Sequence, residues 1–175
     1  MKNAILITLL IVLGCGSLFA QVNIRQSSVL ELEKVDSKNF HQVTIQPESF
    51  TLEFEGKELM VCAGLTEDLF LHTKAETDIN ADFNSYFFIF KFLAMEGNAD
   101  YLPIGPDEAA SLNETHGAKI TEEGKSTFTV NSLQVSGEKK PISAFDRFFM
   151  ALWNDQNKDQ FIDKNELLHL KVVVQ

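Results

Sequence analysis

A run of twelve residues near the end of the chain places an oxygen-bearing side chain at almost every second position. Residues 155–166 read DQNKDQFIDKNE, so that Asp155, Asn157 and Asp159 alternate with other residues and are followed by Asp163 and Glu166. Calcium is a hard cation that binds about six to eight oxygens. A short loop supplies them when alternate side chains point inward and a late carboxylate closes the site. The run therefore predicts a calcium site and requires a fold that can present such a loop.

Each predicted ligand has its own mode of binding. The first three acidic or amide side chains offer one oxygen each, and Phe161 offers its backbone carbonyl. Asp163 binds directly or through a water, and Glu166 binds with both carboxylate oxygens. The predicted metal ligands are Asp155, Asn157, Asp159, Phe161, Asp163 and Glu166.

These twelve residues resemble the loop of an EF-hand, because the residue types match at loop positions one, three, five, eight, nine and twelve. The resemblance covers residues 143–171 and implies a helix on each side of the loop. Position eight, Ile162, implies a short strand contact with a second loop. One departure is Gln160, which stands where the family favours glycine because φ is positive there. An ordinary residue in that conformation costs about 1–2 kcal/mol, which corresponds to roughly tenfold weaker binding.

EF-hands usually occur in pairs, so the resemblance also implies a partner upstream. A degenerate hand is predicted at 83–114, where the apolar residues 83–95 would form a helix before an irregular acidic loop. The register of that loop is broken, and Pro103 and Pro106 stiffen it. It is therefore predicted to be at most a weak second metal site, with the ligands Glu96, Asn98, Asp100 and Glu108.

The pattern elsewhere completes a prediction of a mainly α fold. Apolar residues at helical spacing predict helices at 59–74 and at 143–153, and the exiting helix is expected to stop near Leu170 because residues 172–174 are β-branched. Alternating apolar residues predict short strands at 43–45, 50–54 and 128–130. The predicted architecture is a helix-loop-helix pair with a small β-containing N-terminal portion, in one domain spanning residues 21–175.

The first twenty residues have the layout of a secretory signal peptide. Lys2 is followed by an apolar stretch at residues 4–13 and by small residues that lead to Ala20. The protein is therefore predicted to be secreted, and a bacterial lipoprotein anchored through Cys15 is the alternative. After cleavage Cys62 is the remaining cysteine, so a hydrophobic core or a metal must hold the domain together.

Charge and motifs limit the predicted function. The formal net charge of −10 argues against a nucleic-acid partner, and no stretch after the signal peptide is long and apolar enough to span a membrane. No catalytic motif is found, so the chain is not predicted to be an enzyme. We expect a secreted calcium-binding protein in which the ion supports structure or engagement of a protein partner. The alternatives are an enzyme with only structural calcium, and a carrier of a lipid or hydrophobic ligand, suggested by residues 83–95 and by 15 phenylalanines.

Overall fold

A computed structural model describes residues 22–35, 40–56, 59–78, 91–92, 101–104, 119–120 and 125–175. The predicted signal peptide, residues 1–20, lies outside these ranges. So do all four ligands predicted for the weak second site, Glu96, Asn98, Asp100 and Glu108.

Most of the described residues form β-strands. Among these described residues the single α-helix is α1 (Leu69–His72), and a 3-10 turn covers Ile142–Ala144. The strands are β1 (Val22–Arg25), β2 (Glu33–Lys34), β3 (His41–Ile45), β4 (Phe50–Glu55), β5 (Met60–Gly64), β6 (Thr77–Asp78), β7 (Lys91–Phe92), β8 (Tyr101–Pro103), β9 (Lys119–Ile120), β10 (Lys125–Val130), β11 (Ser132–Val135), β12 (Glu138–Pro141), β13 (Arg147–Trp153), β14 (Phe161–Ile162) and β15 (Leu167–Val174).

Two large sheets form the body of the domain. The first has the strand order β1-β4-β10-β9, and the second has the order β2-β3-β15-β13-β5-β7. In the second sheet β13 runs antiparallel to both β15 and β5, whereas β15 runs parallel to β3. A three-stranded sheet, β12-β11-β8, and the short pair β14-β6 complete the described topology.

The main hydrophobic core lies between the two large sheets. On β4 the apolar residues Phe50, Leu52 and Phe54 are buried, while the residues between them face outward. This period of two is what a strand with one buried face requires. The core residues from the second sheet come mainly from β13 and β15, namely Phe148, Met150, Leu152, Leu168, Leu170 and Val172.

A smaller cluster covers the opposite face of the six-stranded sheet. Ala151, Trp153, Ile162 and Leu167 are buried together there, with Met60, Cys62 and Leu69 packed against them. Strand β13 therefore buries alternate residues on both of its faces. The face toward the first sheet is called the inner face below, and the face that carries this smaller cluster is called the outer face.

The prediction of a mainly α fold with a helix-loop-helix pair is wrong. Residues 147–153, predicted as the entering helix, form β13, and residues 167–174, predicted to begin as the exiting helix, form β15. Of the predicted helix at 83–95 only Lys91–Phe92 is described, and these residues form a strand. A strand buried on both faces is apolar at nearly every position, so its sequence also satisfies helical spacing.

The strands predicted from strict alternation are confirmed. Residues 43–45, 50–54 and 128–130 lie in β3, β4 and β10, respectively. In the described part of the chain, no helix is long and apolar enough to cross a membrane.

Candidate metal site

The acidic loop, residues 155–166, connects β13 to its antiparallel neighbour β15. Its base is closed where the Asn154 backbone N–H donates to the Glu166 carbonyl at 3.1 Å. The Asn154 side-chain amide, which is buried, also donates to the Glu55 carbonyl at 3.1 Å, at the end of β4. The base of the loop is thereby fixed to both large sheets.

Backbone N–H groups hold one oxygen of each of three carboxylates in the loop. Two of these bonds join residues two and five positions apart, and the third joins the two ends of the loop. The bonds run from Gln160 N to Asp155 Oδ2 at 3.1 Å, from Phe161 N to Asp159 Oδ1 at 2.8 Å, and from Gln156 N to Glu166 Oε1 at 3.0 Å.

Two further carboxylate oxygens are buried and accept no hydrogen bond from the described part of the chain. They are Asp155 Oδ1 and Glu166 Oε2. Glu166 is only 2% exposed, although it is a glutamate. A buried ionised oxygen without a donor is costly, because it has lost its hydration without replacement. Within the described part of the chain, these two atoms therefore lack the donors that buried carboxylate oxygens normally have.

The Asn157 amide lies between the other acidic side chains of the loop. Its nitrogen donates to Asp159 Oδ2 at 3.0 Å and to Asp163 Oδ2 at 3.2 Å. Its oxygen accepts from the Asp159 backbone N–H at 3.0 Å. The amide nitrogen thus draws two carboxylates toward one point, while the amide oxygen keeps a second lone pair.

The backbone of the loop adopts the conformation expected at its sixth position. Gln160 has φ of +63°, which confirms the predicted positive φ at a residue that is not glycine. Lys158 has φ of +60°, which the sequence reasoning missed. Both residues lie in the left-handed region, where a side chain is disfavoured, so the loop is tightly curved despite its residue types.

Ile162 makes a short strand contact, as predicted, but its partner is not the predicted second loop. Phe161–Ile162 pairs with Thr77–Asp78, and the Glu76 backbone N–H donates to the Ile162 carbonyl at 2.6 Å. Glu76 also forms an ion pair with Lys164 at 2.9 Å. The pairing partner is therefore the strand that follows α1, which the sequence had not indicated.

The classification of the chain as an EF-hand protein with an assembled metal site is wrong. The loop is flanked by strands instead of helices. Among the described residues, no group of three or more His, Cys, Asp or Glu side chains is arranged to hold a metal ion. The sequence pattern located the acidic loop, but it did not show which strands surround the loop or that backbone N–H groups and the Asn157 amide hold its carboxylates.

All six predicted ligands lie in the acidic loop. The hydrogen bonds above link Asn157, Asp159, Asp163 and Phe161 to one another, whereas Asp155 and Glu166 accept from the backbone of Gln160 and Gln156. Comparisons of the chain with known protein families, with curated proteins and with solved structures found no match.

Proposed function

We propose that this protein binds one calcium ion in the acidic loop and that the ion stabilises the connection between β13 and β15. The observation that carries the proposal is the pair of buried oxygens, Asp155 Oδ1 and Glu166 Oε2, that accept no hydrogen bond from the described residues. A bound cation would satisfy both, and their second oxygens are already held by backbone N–H groups.

The chemistry of the donors favours calcium over other metals. All candidate ligands are oxygens from carboxylates, an amide and a backbone carbonyl, which suit hard cations. The proposed ligands are Asp155, Asn157, Asp159, the carbonyl of Phe161, Asp163 and Glu166. Four of the six are carboxylates, and in the described structure they do not yet form a preassembled cluster.

Assembly of this site requires side-chain rotations in the loop. The Asn157 amide nitrogen now holds Asp159 and Asp163 at 3.0 and 3.2 Å, and both bonds would be exchanged for contacts with the ion. The backbone needs no comparable change, because its two positive-φ residues and its N–H contacts to carboxylates are in place. Calcium binding would therefore act mainly on side chains.

A structural role for the ion follows from where the loop is anchored. The loop joins two neighbouring strands of the six-stranded sheet, and Asn154 at its base bonds to the end of β4. A ligand that binds only the folded state stabilises it by mass action. Weak binding is sufficient outside the cell, where calcium modules work at dissociation constants of about 10⁻⁴–10⁻³ M. This agrees with the proposal that the protein is secreted.

Calorimetric titration of the purified chain with calcium, and separately with magnesium, tests the proposal. We expect one calcium per chain and weaker binding of magnesium, which demands a stricter geometry. Glu166→Gln should weaken calcium binding by roughly ten- to more than a hundredfold, because a charge-assisted contact is lost. Glu138→Gln removes the same charge from an exposed site on β12 and is the matched control.

Gln160→Gly, a change in the same loop, should raise the calcium affinity instead of lowering it. Removing the side chain at φ of +63° relieves about 1–2 kcal/mol of strain, so calcium should bind up to roughly tenfold more tightly. Equal calcium affinity in the parent, Glu166→Gln and Gln160→Gly would refute the proposed site.

A further inference from the structure

A cleft of about 660 Å³ opens on the outer face of the six-stranded sheet, beside α1. Its walls include Phe40 and His41 from the start of β3, Phe70 from α1, and Leu167 and His169 from β15. The volume lies within the range of small-molecule sites, about 300–1,000 Å³. None of the proposed calcium ligands lines the cleft, so it is a separate feature of the molecule.

The charge of the cleft is opposite to that of the whole chain. Its described lining contains Lys34, Lys74 and Lys164 but only one acidic residue, Glu67, whereas the whole chain has a net charge of −10. Lys34 and Lys74 form no ion pair within the described part of the chain, while Lys164 pairs with Glu76. The cleft is therefore a local site of positive charge on an acidic protein, which attracts an anion.

The pKa values of the two histidines in the lining, His41 and His169, are both shifted by their surroundings in the cleft. Burial, and then the nearby charge of Lys34, lowers the pKa of His41; the two residues are paired across β2 and β3. Burial also lowers the pKa of His169. An anion in the cleft would oppose the contribution of Lys34.

The floor of the cleft is aromatic and rigid. The Phe70 ring stacks on the His169 imidazole, with ring centres 4.4 Å apart and planes 14° apart. It also contacts Phe40 at 5.2 Å and packs edge-on against Phe149 of β13 at 5.6 Å. Such a floor offers aromatic surface against which another ring can pack.

A buried hydroxyl fixes the histidine in this floor. Thr73 is fully buried, and its hydroxyl donates to the Leu69 carbonyl at 3.0 Å. Because the hydroxyl has only one proton, it accepts in its contact with His169. The His169 Nε2 lies 2.9 Å from the Thr73 hydroxyl oxygen and is therefore assigned as the donor. The imidazole is therefore held in one orientation by a strand on one side and by the end of α1 on the other.

We propose that this cleft binds a small organic anion with an aromatic body and a carboxylate. The aromatic body would lie against Phe40 and Phe70, and the carboxylate would be attracted by Lys34 and Lys74 at the rim. This inference does not depend on calcium binding, because it uses none of the proposed metal ligands.

Titrations with 2-naphthoate and its neutral isostere 2-naphthamide, in the presence of excess calcium, test the cleft. We expect one 2-naphthoate per chain, bound roughly tenfold more tightly than the amide. The double variant Lys34→Gln/Lys74→Gln should lose about five- to tenfold in 2-naphthoate affinity, the amount expected of two solvent-exposed charges. Lys139→Gln/Lys140→Gln makes the same charge change on β12 and should bind like the parent.

The location is checked by proton NMR. The imidazole signals of His169, assigned by comparison with His169→Gln, should move when 2-naphthoate stacks nearby. Equal affinities for acid and amide, equal losses in the two double variants, or unchanged His169 signals at saturating 2-naphthoate would each overturn the proposal. A negative result with 2-naphthoate would not count against calcium binding. A negative calcium titration would not count against binding of 2-naphthoate in the cleft.

Discussion

The two faces of the six-stranded sheet are built from the same strands but differ in polarity and burial. The inner face of β13 and β15 is entirely apolar, and apart from the partly buried Val174 at the end of β15 its residues are at most 2% exposed. On the outer face the buried apolar cluster is small, and next to it lie His169, Lys171 and Arg147, which line clefts. Both candidate sites belong to this outer side, where Ile162 and Lys164 extend the acidic loop over it.

In the proposed account, one sheet therefore supports stability with its inner face and binding with its outer face. The inner face can tolerate little change, because close-packed interiors respond to the loss of even one methylene group. The outer face positions polar groups on strands that the inner face holds rigid. We therefore expect stability to be lost mainly by changes on the inner face, and binding by changes on the outer face.

Phe148→Ala should have the largest effect on stability. Phe148 is fully buried on the inner face, and its ring contacts those of Phe50 and Phe145, with ring centres 6.0 and 6.4 Å away. Removing such a side chain leaves a cavity and costs about 3–5 kcal/mol. Urea unfolding followed by circular dichroism measures the loss. A variant as stable as the parent would show that the two large sheets are not packed as described.

Phe70→Ala is the matching change on the outer side and should cost less. Phe70 is half-buried and contacts three rings, so we expect a loss of about 1–2 kcal/mol, below the range for a fully buried phenylalanine. The same urea experiment should show this smaller loss together with weakened 2-naphthoate binding. If Phe70→Ala destabilised the protein more than Phe148→Ala, the proposed contrast between the faces would be wrong.

His169→Gln should produce the smallest change of the three, and its distinguishing effect is on the pH dependence of stability. Since burial lowers the pKa of His169 in the folded protein, the unfolded chain takes up a proton more readily. The stability contributed by the neutral imidazole is therefore fully present above the unfolded pKa of about 6.5, and it is lost as pH falls through the lower folded pKa.

The free energy of unfolding of the parent should thus decrease as pH is lowered from 7 toward 5, and His169→Gln should decrease less. Urea unfolding at a series of pH values measures both slopes. Identical slopes would mean that His169 does not titrate differently in the two states.

The sequence predicted the acidic loop better than it predicted the strands around it. The loop pattern depends on residues within a short segment, and the positive φ at Gln160 was implied by the resemblance of that segment to an EF-hand loop. The helix prediction for 143–153 rested instead on four apolar residues at helical spacing: Phe145, Phe148, Phe149 and Leu152. Those residues belong largely to a strand that buries Phe148 and Leu152 inside and Phe149 outside, so periodicity could not separate the two structures.

One local signal pointed in the right direction. Val172, Val173 and Val174 are β-branched and favour strands, and they form the end of β15. The cleft could not be predicted, because Lys34, Lys74 and His169 are far apart in the chain and meet only through the pairing of β2, β3 and β15 and the position of α1.

The central claim, that the acidic loop holds a calcium ion, is tested most directly with terbium in place of calcium. Trp153 is the single tryptophan of the chain; it lies two residues before Asp155 and is buried in the same cluster as Ile162 of the loop. Terbium bound in the loop should therefore emit when Trp153 is excited, calcium should quench this emission by competition, and Glu166→Gln should abolish most of it. Terbium emission that is absent in the parent, or that persists unchanged in Glu166→Gln, would contradict the proposed site.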